Sequence, residues 1–185
     1  MTGAVTYKRA LRRLMHELDQ AICEDRAHAA LWNHRSCGVD FWRIAFVALS
    51  NDTVAHTMKI LDRHRDSTSF WYVFAQREQD IRAFCTTESI ALSEIEWLSN
   101  KLKDIRDRTH FHIDRREIFN PDTVWQRAGI NNARFTAILE SLWKILDYLY
   151  TAEYGESFGA PEYDASDVGL ILEAAKAARL GYKVH

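Results

Sequence analysis

Asn131-Asn-Ala-Arg-Phe-Thr-Ala-Ile-Leu-Glu-Ser-Leu-Trp-Lys-Ile-Leu-Asp-Tyr-Leu149 decides the fold class. Phe135, Ile138, Leu142, Ile145, Leu146 and Leu149 recur at gaps of three and four, which lines one face of an α-helix and no face of a strand. An Asn at 131 or 132 offers the side-chain oxygen that caps a helix start.

The same pattern extends outward. Leu11, Leu14, Leu18 and Ile22 predict a first helix over residues 6–33. Ile44, Val47, Val54, Met58 and Leu61 predict a second over 41–64, with Asp40 as its cap and Ser36-Cys37-Gly38 as the break before it. Asn51 falls inside that stripe and reads as a hydrogen-bonded core or interface amide. Ser67-Thr68-Ser69 is a second break, followed by a third helix with Phe70, Val73, Phe74, Ile81 and Phe84. Thr86-Thr87-Glu88 starts a fourth, whose stripe is Ile95, Leu98, Leu102 and Ile105. A loop around Asn120-Pro121-Asp122 reaches Gly129-Ile130-Asn131. Only 7 Gly and 2 Pro occur, too few for the turns of an all-β domain. The expected fold is all-α: an up-and-down helical bundle of about four to five long helices over residues 1–153. Residues 154–185 are expected to form a C-terminal extension on the same domain. It comprises a loop from Gly155 to Pro161 and a short helix opened by Asp164 and Ser166, with Val168, Ile171, Leu172 and Ala175.

A length of 185 residues suits one domain, and 47% hydrophobic content supplies its core. Met1 to Lys8 is polar and lacks a signal-peptide core, and no run of about 18 apolar residues exists to span a membrane. Cys23, Cys37 and Cys85 form no C-x-x-C pair; such an odd, scattered set predicts free thiols in a reducing cytoplasm. The net charge of −2 argues against a surface coated in positive charge for wrapping nucleic acid. Any RNA contact is therefore expected to be local, and DNA is not an expected partner.

The densest polar block is Lys101-Leu-Lys-Asp-Ile-Arg-Asp-Arg-Thr-His-Phe-His-Ile-Asp-Arg-Arg-Glu117, with six basic residues, four acidic ones and two histidines. One reading is a solvated helix face laced with i,i+4 ion pairs. On a helical wheel of about 100° per residue, however, the apolar stripe runs past Ile105 through Thr109 to His112. Arg106 and His112 then flank Thr109 by about 60° on either side, separated by about 9 Å of rise. A cation and an imidazole bordering one packed surface suit anion binding or catalysis.

Arg106-Asp107-Arg108-Thr109-His110-Phe111-His112, late in a long amphipathic helix of an all-α chain, resembles the motif of the HEPN superfamily. That motif is an Arg, a polar residue, and a His four to six residues beyond the Arg. The chain looks most like the abortive-infection branch, which the second-helix ending Lys59-Ile-Leu-Asp-Arg63 also resembles. The resemblance covers residues 5–150 in layout and about nine in motif. It implies a metal-independent endoribonuclease without cofactors, a toxin or antiphage effector. In such enzymes the ribose 2′-OH attacks the adjacent phosphate. His112 would move protons, and the Arg106 guanidinium would stabilise the developing charge. Asp107, Arg108 and Thr109 would support them, with Lys101, Lys103, Arg115 and Arg116 as RNA-binding cations. The resemblance also implies a homodimer that places two motifs at one cleft, with the fourth helix's stripe at the interface, and a nucleotidyltransferase-type antitoxin as a partner. Two positions depart from the family pattern. Asp107 stands where active members often carry Asn, and Asp114 stands where some toxins carry a Tyr that the antitoxin modifies.

Three alternatives remain beside this reading. One is a non-catalytic HEPN module that dimerises or binds an effector. A second is a helical interaction protein unrelated to HEPN. The last is a metal-dependent helical-bundle enzyme of the DinB-like kind. Against the last, His110, His112 and Asp114 alternate sides of a helix, and His16, His28, His34 and His56 follow no ligand spacing, so no metal is expected.

Overall fold

A computed structural model describes residues 6–33, 40–106 and 126–181; residues 126–128 are helical, no strand occurs among the described residues, and seven longer helices do. They are α1 (Tyr7–Asn33), α2 (Asp40–Ile60), α3 (Phe70–Gln76), α4 (Glu78–Thr87), α5 (Leu92–Ile105), α6 (Asn132–Tyr154) and α7 (Ser166–Gly181). The all-α helical bundle expected from the sequence is the architecture found. No helix among the described residues is long and apolar enough to cross a membrane.

α1 lies at the centre, packed most extensively on α2 and α6, and also against α3 and α7. Its stripe of Leu11, Leu14, Met15 and Leu18 is fully buried. α6 runs antiparallel to it. Tyr154 Oη donates to the Lys8 carbonyl at 2.9 Å at one end, and Thr136 Oγ1 donates to Asp25 Oδ2 at 2.7 Å at the other. Asn131 caps α6 by accepting the Arg134 amide at 2.9 Å, and Gly155 ends it in the left-handed region at φ 80°, where glycine avoids the Cβ clash. α5 docks on α6 through a bidentate Arg134–Glu94 pair at 2.6 and 3.0 Å, with the guanidinium over the Trp97 ring. Every member of the α5 stripe, Ile95, Leu98, Leu102 and Ile105, is buried inside the protomer. That stripe is therefore not a bare surface for a second copy to cover, and any homodimer has to draw on other surface.

Four sequence expectations are corrected. α2 ends at Ile60 rather than His64, because the Asp62 carboxylate accepts the His64 amide at 3.2 Å and turns the chain. The predicted third helix is broken into α3 and α4 at Arg77, whose backbone leaves the helical region. No Gly or Pro marks that break, which coincides with the Arg77 guanidinium reaching Glu153 of α6 at 3.5 Å. Thr86 and Thr87 close α4 rather than start the next helix, which begins at Leu92; the break between them lies at 88–91, with Ser89 in the left-handed region at φ 56° and Ile90 N bonded to Cys85 O. In the first half of α2, Ile44 and Val47 are 62% and 51% exposed, and Asn51 is exposed rather than a core amide.

The last helix is longer than expected, 16 residues. Val168 and Leu172 pack with Leu31 of α1 and Phe46 and Leu49 of α2, while Ile171 stays exposed. Arg26 of α1 holds the approach to α7 by donating to the carbonyls of Pro161 and Tyr163 at 2.8 and 2.7 Å. The breaks around Ser36-Cys37-Gly38 and Asn120-Pro121-Asp122 lie outside the described residues.

Leu98→Ala should cost about 3 kcal/mol in urea denaturation, the usual loss for emptying a filled leucine site. Ile44→Ala should cost less than about 0.5 kcal/mol, because that side chain is already solvated. A large loss at Ile44 would show that the first half of α2 is covered in solution.

Candidate functional site

Arg106 marks the last described turn of α5 and is half-buried. Its guanidinium Nη1 meets Asp62 Oδ1 at 3.3 Å, so α5 is tied to the turn that ends α2. The two elements enclose a cavity of about 400 Å³. Asp62, Arg63, His64, Ser99, Lys103 and Arg106 form its polar wall, and Met58, Leu61 and Leu102 its apolar lining. Among the described lining residues, three cations, Arg63, Lys103 and Arg106, thus face one concave space beside one carboxylate, Asp62.

Local hydrogen bonds fix the wall. Ser99 is buried; its hydroxyl donates to the Leu61 carbonyl at 3.0 Å and accepts from Arg63 Nε at 3.3 Å and Trp71 Nε1 at 3.2 Å. Arg63 lies over the Trp71 ring, 4.2 Å from its centroid, and its Nη2 reaches Glu96 at 3.1 Å. The Asp66 amide donates to His64 Nδ1 at 3.3 Å, which places the neutral ring's proton on Nε2. The cavity therefore presents fixed donors that could receive a phosphate or carboxylate.

Of the residues predicted from sequence, Arg106 and Lys103 line this cavity, and Lys101 lies half-buried outside its wall. Asp107, Arg108, Thr109, His110, His112, Asp114, Arg115 and Arg116 lie outside the described residues, as does His34. Arg63 and His64 were missed as wall residues. Their signal was the Lys59–Arg63 helix ending, whose turn only the fold brings against Arg106.

A second polar centre lies between α1 and α2. Glu17 Oε2 meets His56 Nδ1 at 2.5 Å and Lys59 Nζ at 3.4 Å, and Glu17 Oε1 pairs with Arg13. Burial works to raise the Glu17 pKa, but the His56 hydrogen bond and the Lys59 and Arg13 charges prevail and hold it below its ordinary value. Glu24 accepts from Gln20 at 2.7 Å on Oε1. Burial raises its carboxyl above the usual range and Asp52 adds to the rise, against the lowering effects of Gln20 and His56. His56 Nε2 faces Glu24 Oε1 at 3.8 Å and Asp52 Oδ1 at 3.9 Å. Although the sequence offered no ligand spacing for His56, the fold brings it to three carboxylates. Two other histidines make ring contacts instead: His28 stacks on Phe46, and His16 meets Phe158 edge-on. Cys23 and Cys85 are free thiols, and burial raises both above their ordinary values, against nucleophilic use.

No protein family, curated protein or solved structure matches the chain.

Ser99→Ala should cost about 1 kcal/mol in thermal denaturation by removing the hydroxyl shared by Leu61, Arg63 and Trp71. Asp25 supplies a pH test. Burial, opposed by Thr136, leaves its folded pKa above the unfolded value. Its favourable contribution is thus present below the ordinary Asp value and is lost as pH rises through the raised one. Asp25→Asn should therefore raise Tm at pH 7 and lose that gain below about pH 4. A gain equal at both pH values would contradict the assignment.

Proposed function

We propose that this chain binds RNA at the Arg106 cavity and cleaves it as an HEPN-like, metal-independent endoribonuclease, acting as a toxin or abortive-infection effector. The observation that carries the proposal is the convergence of Arg63, Lys103 and Arg106 on one concave space at the α2–α5 junction. A phosphodiester needs such a place: localised positive charge with planar, bidentate donors, on a chain whose overall charge is slightly negative. His112 follows Arg106 by six residues, within reach of the same phosphate if the α5 helix continues.

In this reaction the ribose 2′-oxygen attacks phosphorus and the bond to the 5′-oxygen breaks. The products are a 2′,3′-cyclic phosphate and a free 5′-hydroxyl. The 2′-hydroxyl proton must be removed and the departing 5′-oxygen protonated. His112 serves one of these transfers. The corresponding His of a second copy in a homodimer serves the other. Arg106 holds the non-bridging oxygens as charge builds on them. Lys101, Lys103, Arg115 and Arg116 position the strand, while Asp107, Arg108 and Thr109 support the motif. A nucleotidyltransferase-type antitoxin is the proposed regulatory partner, and the cytoplasm the proposed compartment.

The Arg106–Asp62 pair favours a second reading, a non-catalytic HEPN-like binding module, because that guanidinium already ties two elements together. Asp62→Asn discriminates between them. Under the nuclease reading it releases Arg106 toward RNA and tightens binding; under the module reading it only loosens the α2–α5 junction and lowers Tm.

Purified protein should cut RNA in the presence of EDTA. His112→Ala and Arg106→Ala should each reduce the rate about a hundredfold or more, while His110→Ala keeps most of it. Charge reversal at Arg115 and Arg116 should weaken RNA binding and flatten its salt dependence without changing helicity. Wild-type cleavage by His112→Ala would refute the mechanism. A parent that binds RNA without cutting it, even as Asp107→Asn, would leave the module reading.

A further inference from the structure

Glu24 is the most deeply buried carboxylate of the α1–α2 centre, at 5% exposure, and its Oε2 has no hydrogen-bond partner among the described residues. A buried carboxylate oxygen without a donor loses its hydration and regains nothing, so such a group points to a missing cation or proton. Glu17, one helical heptad earlier, shows the contrast: Arg13, His56 and Lys59 all serve it.

The tautomer of His56 sharpens the case. Its Nδ1 lies 2.5 Å from Glu17 Oε2, a distance that needs a proton between them. In the tautomer that gives Nδ1–H to Glu17 and leaves Nε2 bare, the Nε2 lone pair faces Glu24 and Asp52. Nε2 is 3.8 Å from Glu24 Oε1 and 3.9 Å from Asp52 Oδ1, too far for a hydrogen bond to either. Three Lewis-basic atoms, one from each residue, thus lie within 4.8 Å of one another around a common point. A tetrahedral ion with bonds of about 2.0–2.1 Å spaces its ligand atoms by about 3.3 Å, so the two Nε2 gaps close with shifts of about 0.5 Å and the gap between the carboxylates, within 4.8 Å, with about 1.5 Å or less. Asp52, whose side chain is 61% exposed, has room to swing inward and opens the site to solvent.

We infer that Glu24, Asp52 and His56 bind one divalent transition-metal ion of the zinc class, with Glu17 as the positioning residue that orients the His56 ring. A carboxylate behind a metal-bound imidazole is a common arrangement, fixing the tautomer and raising ligand basicity. The imidazole selects against Mg²⁺ and Ca²⁺, which prefer all-oxygen shells. Two carboxylates neutralise the ion's double charge where Glu24 is shielded from water. Three protein ligands leave a coordination position for water. Asp52 and His56 lie one turn apart on the α2 side facing α1, whereas Met58, Leu61 and Asp62 face α5 and the Arg106 cavity. The metal site is therefore separate from the RNA site and does not rest on the RNA reading.

The test uses full-length protein dialysed against chelator, titrated with Zn²⁺ by calorimetry and with Co²⁺ by visible absorption. One ion per chain should bind, with ligand-field bands of the Co²⁺ form and a raised Tm. Glu24→Gln and His56→Gln should abolish this binding while far-ultraviolet circular dichroism stays helical. Asp52→Asn, at an exposed position safe for folding, should weaken it, and Glu17→Gln should weaken it about 10–100-fold without abolishing it. Without metal, Glu24→Gln should exceed the parent's Tm at neutral pH, because it removes a buried charge whose Oε2 has no donor among the described residues. Unchanged stoichiometry and affinity in both Glu24→Gln and His56→Gln would overturn the site. So would the absence of Zn²⁺ and Co²⁺ binding by the parent, and tighter binding of Mg²⁺ or Ca²⁺ would overturn the ion class. The RNA reading fails separately, through His112→Ala, and Glu24→Gln should leave RNA cleavage unchanged.

Discussion

Burying α1 on several sides is the constraint from which the rest of this structure follows. A helix in that position must supply apolar side chains around much of its circumference, and Leu11, Leu14, Met15 and Leu18 do so. Yet α1 also carries Glu17, Glu24 and Asp25 into low-exposure positions. A buried carboxylate is costly unless neighbours supply protons or positive charge. α2 answers with His56 and Lys59, and α6 with Thr136. The packing of the three longest helices is thereby tied to a set of polar pairings. An apolar core of equal volume could tolerate small shifts in helix register; these pairings could not.

α2 separates two centres of opposite character. Its face toward α1 gathers Asp52 and His56 with the acids of α1. Its far end, turned by the Asp62 carboxylate, delivers Arg63 and His64 to the α5 side, where Lys103 and Arg106 wait. One helix thus positions an acid-rich cluster suited to a cation and a base-rich cavity suited to an anion. The Asp62–Arg106 pair keeps the second centre assembled without a ligand, and it must yield or rearrange when an anion arrives.

The helices were legible because their stripes are long and regular: Leu11 to Ile22, Ile95 to Ile105 and Phe135 to Leu149 each bury as their spacing predicts. Boundaries were less so. The break at Arg77 has no Gly or Pro to signal it, and it coincides with a tertiary contact, the guanidinium's reach to Glu153, that spacing does not encode. Ile44 and Val47 follow helical spacing yet stay more than half exposed, and periodicity alone does not reveal whether a partner surface exists. Arg106 was legible as a residue at the stripe's edge. Arg63 and His64 were not, because their role arises from a turn that spacing does not encode. The α1–α2 centre was open to detection: Glu17 and Glu24 lie seven residues apart in register with Leu14 and Ala21, and Asp52 precedes His56 by one turn. Acids at core positions of a helix are rare enough to mark a site. A search for histidine spacing alone passes over them, because the ligands come from two helices.

The central claim is that the two centres take ligands of opposite charge independently. Backbone amide NMR of the labelled protein, titrated in turn with Zn²⁺ and with a 2′-O-methylated RNA tetranucleotide that cannot be cut, tests it most directly. Zinc should shift the amides around Glu17, Glu24, Asp52 and His56, and RNA those around Asp62, Arg63, Ser99, Lys103 and Arg106, with little overlap. A single shared set of shifted residues, or RNA shifts confined to the α1–α2 centre, would contradict the account.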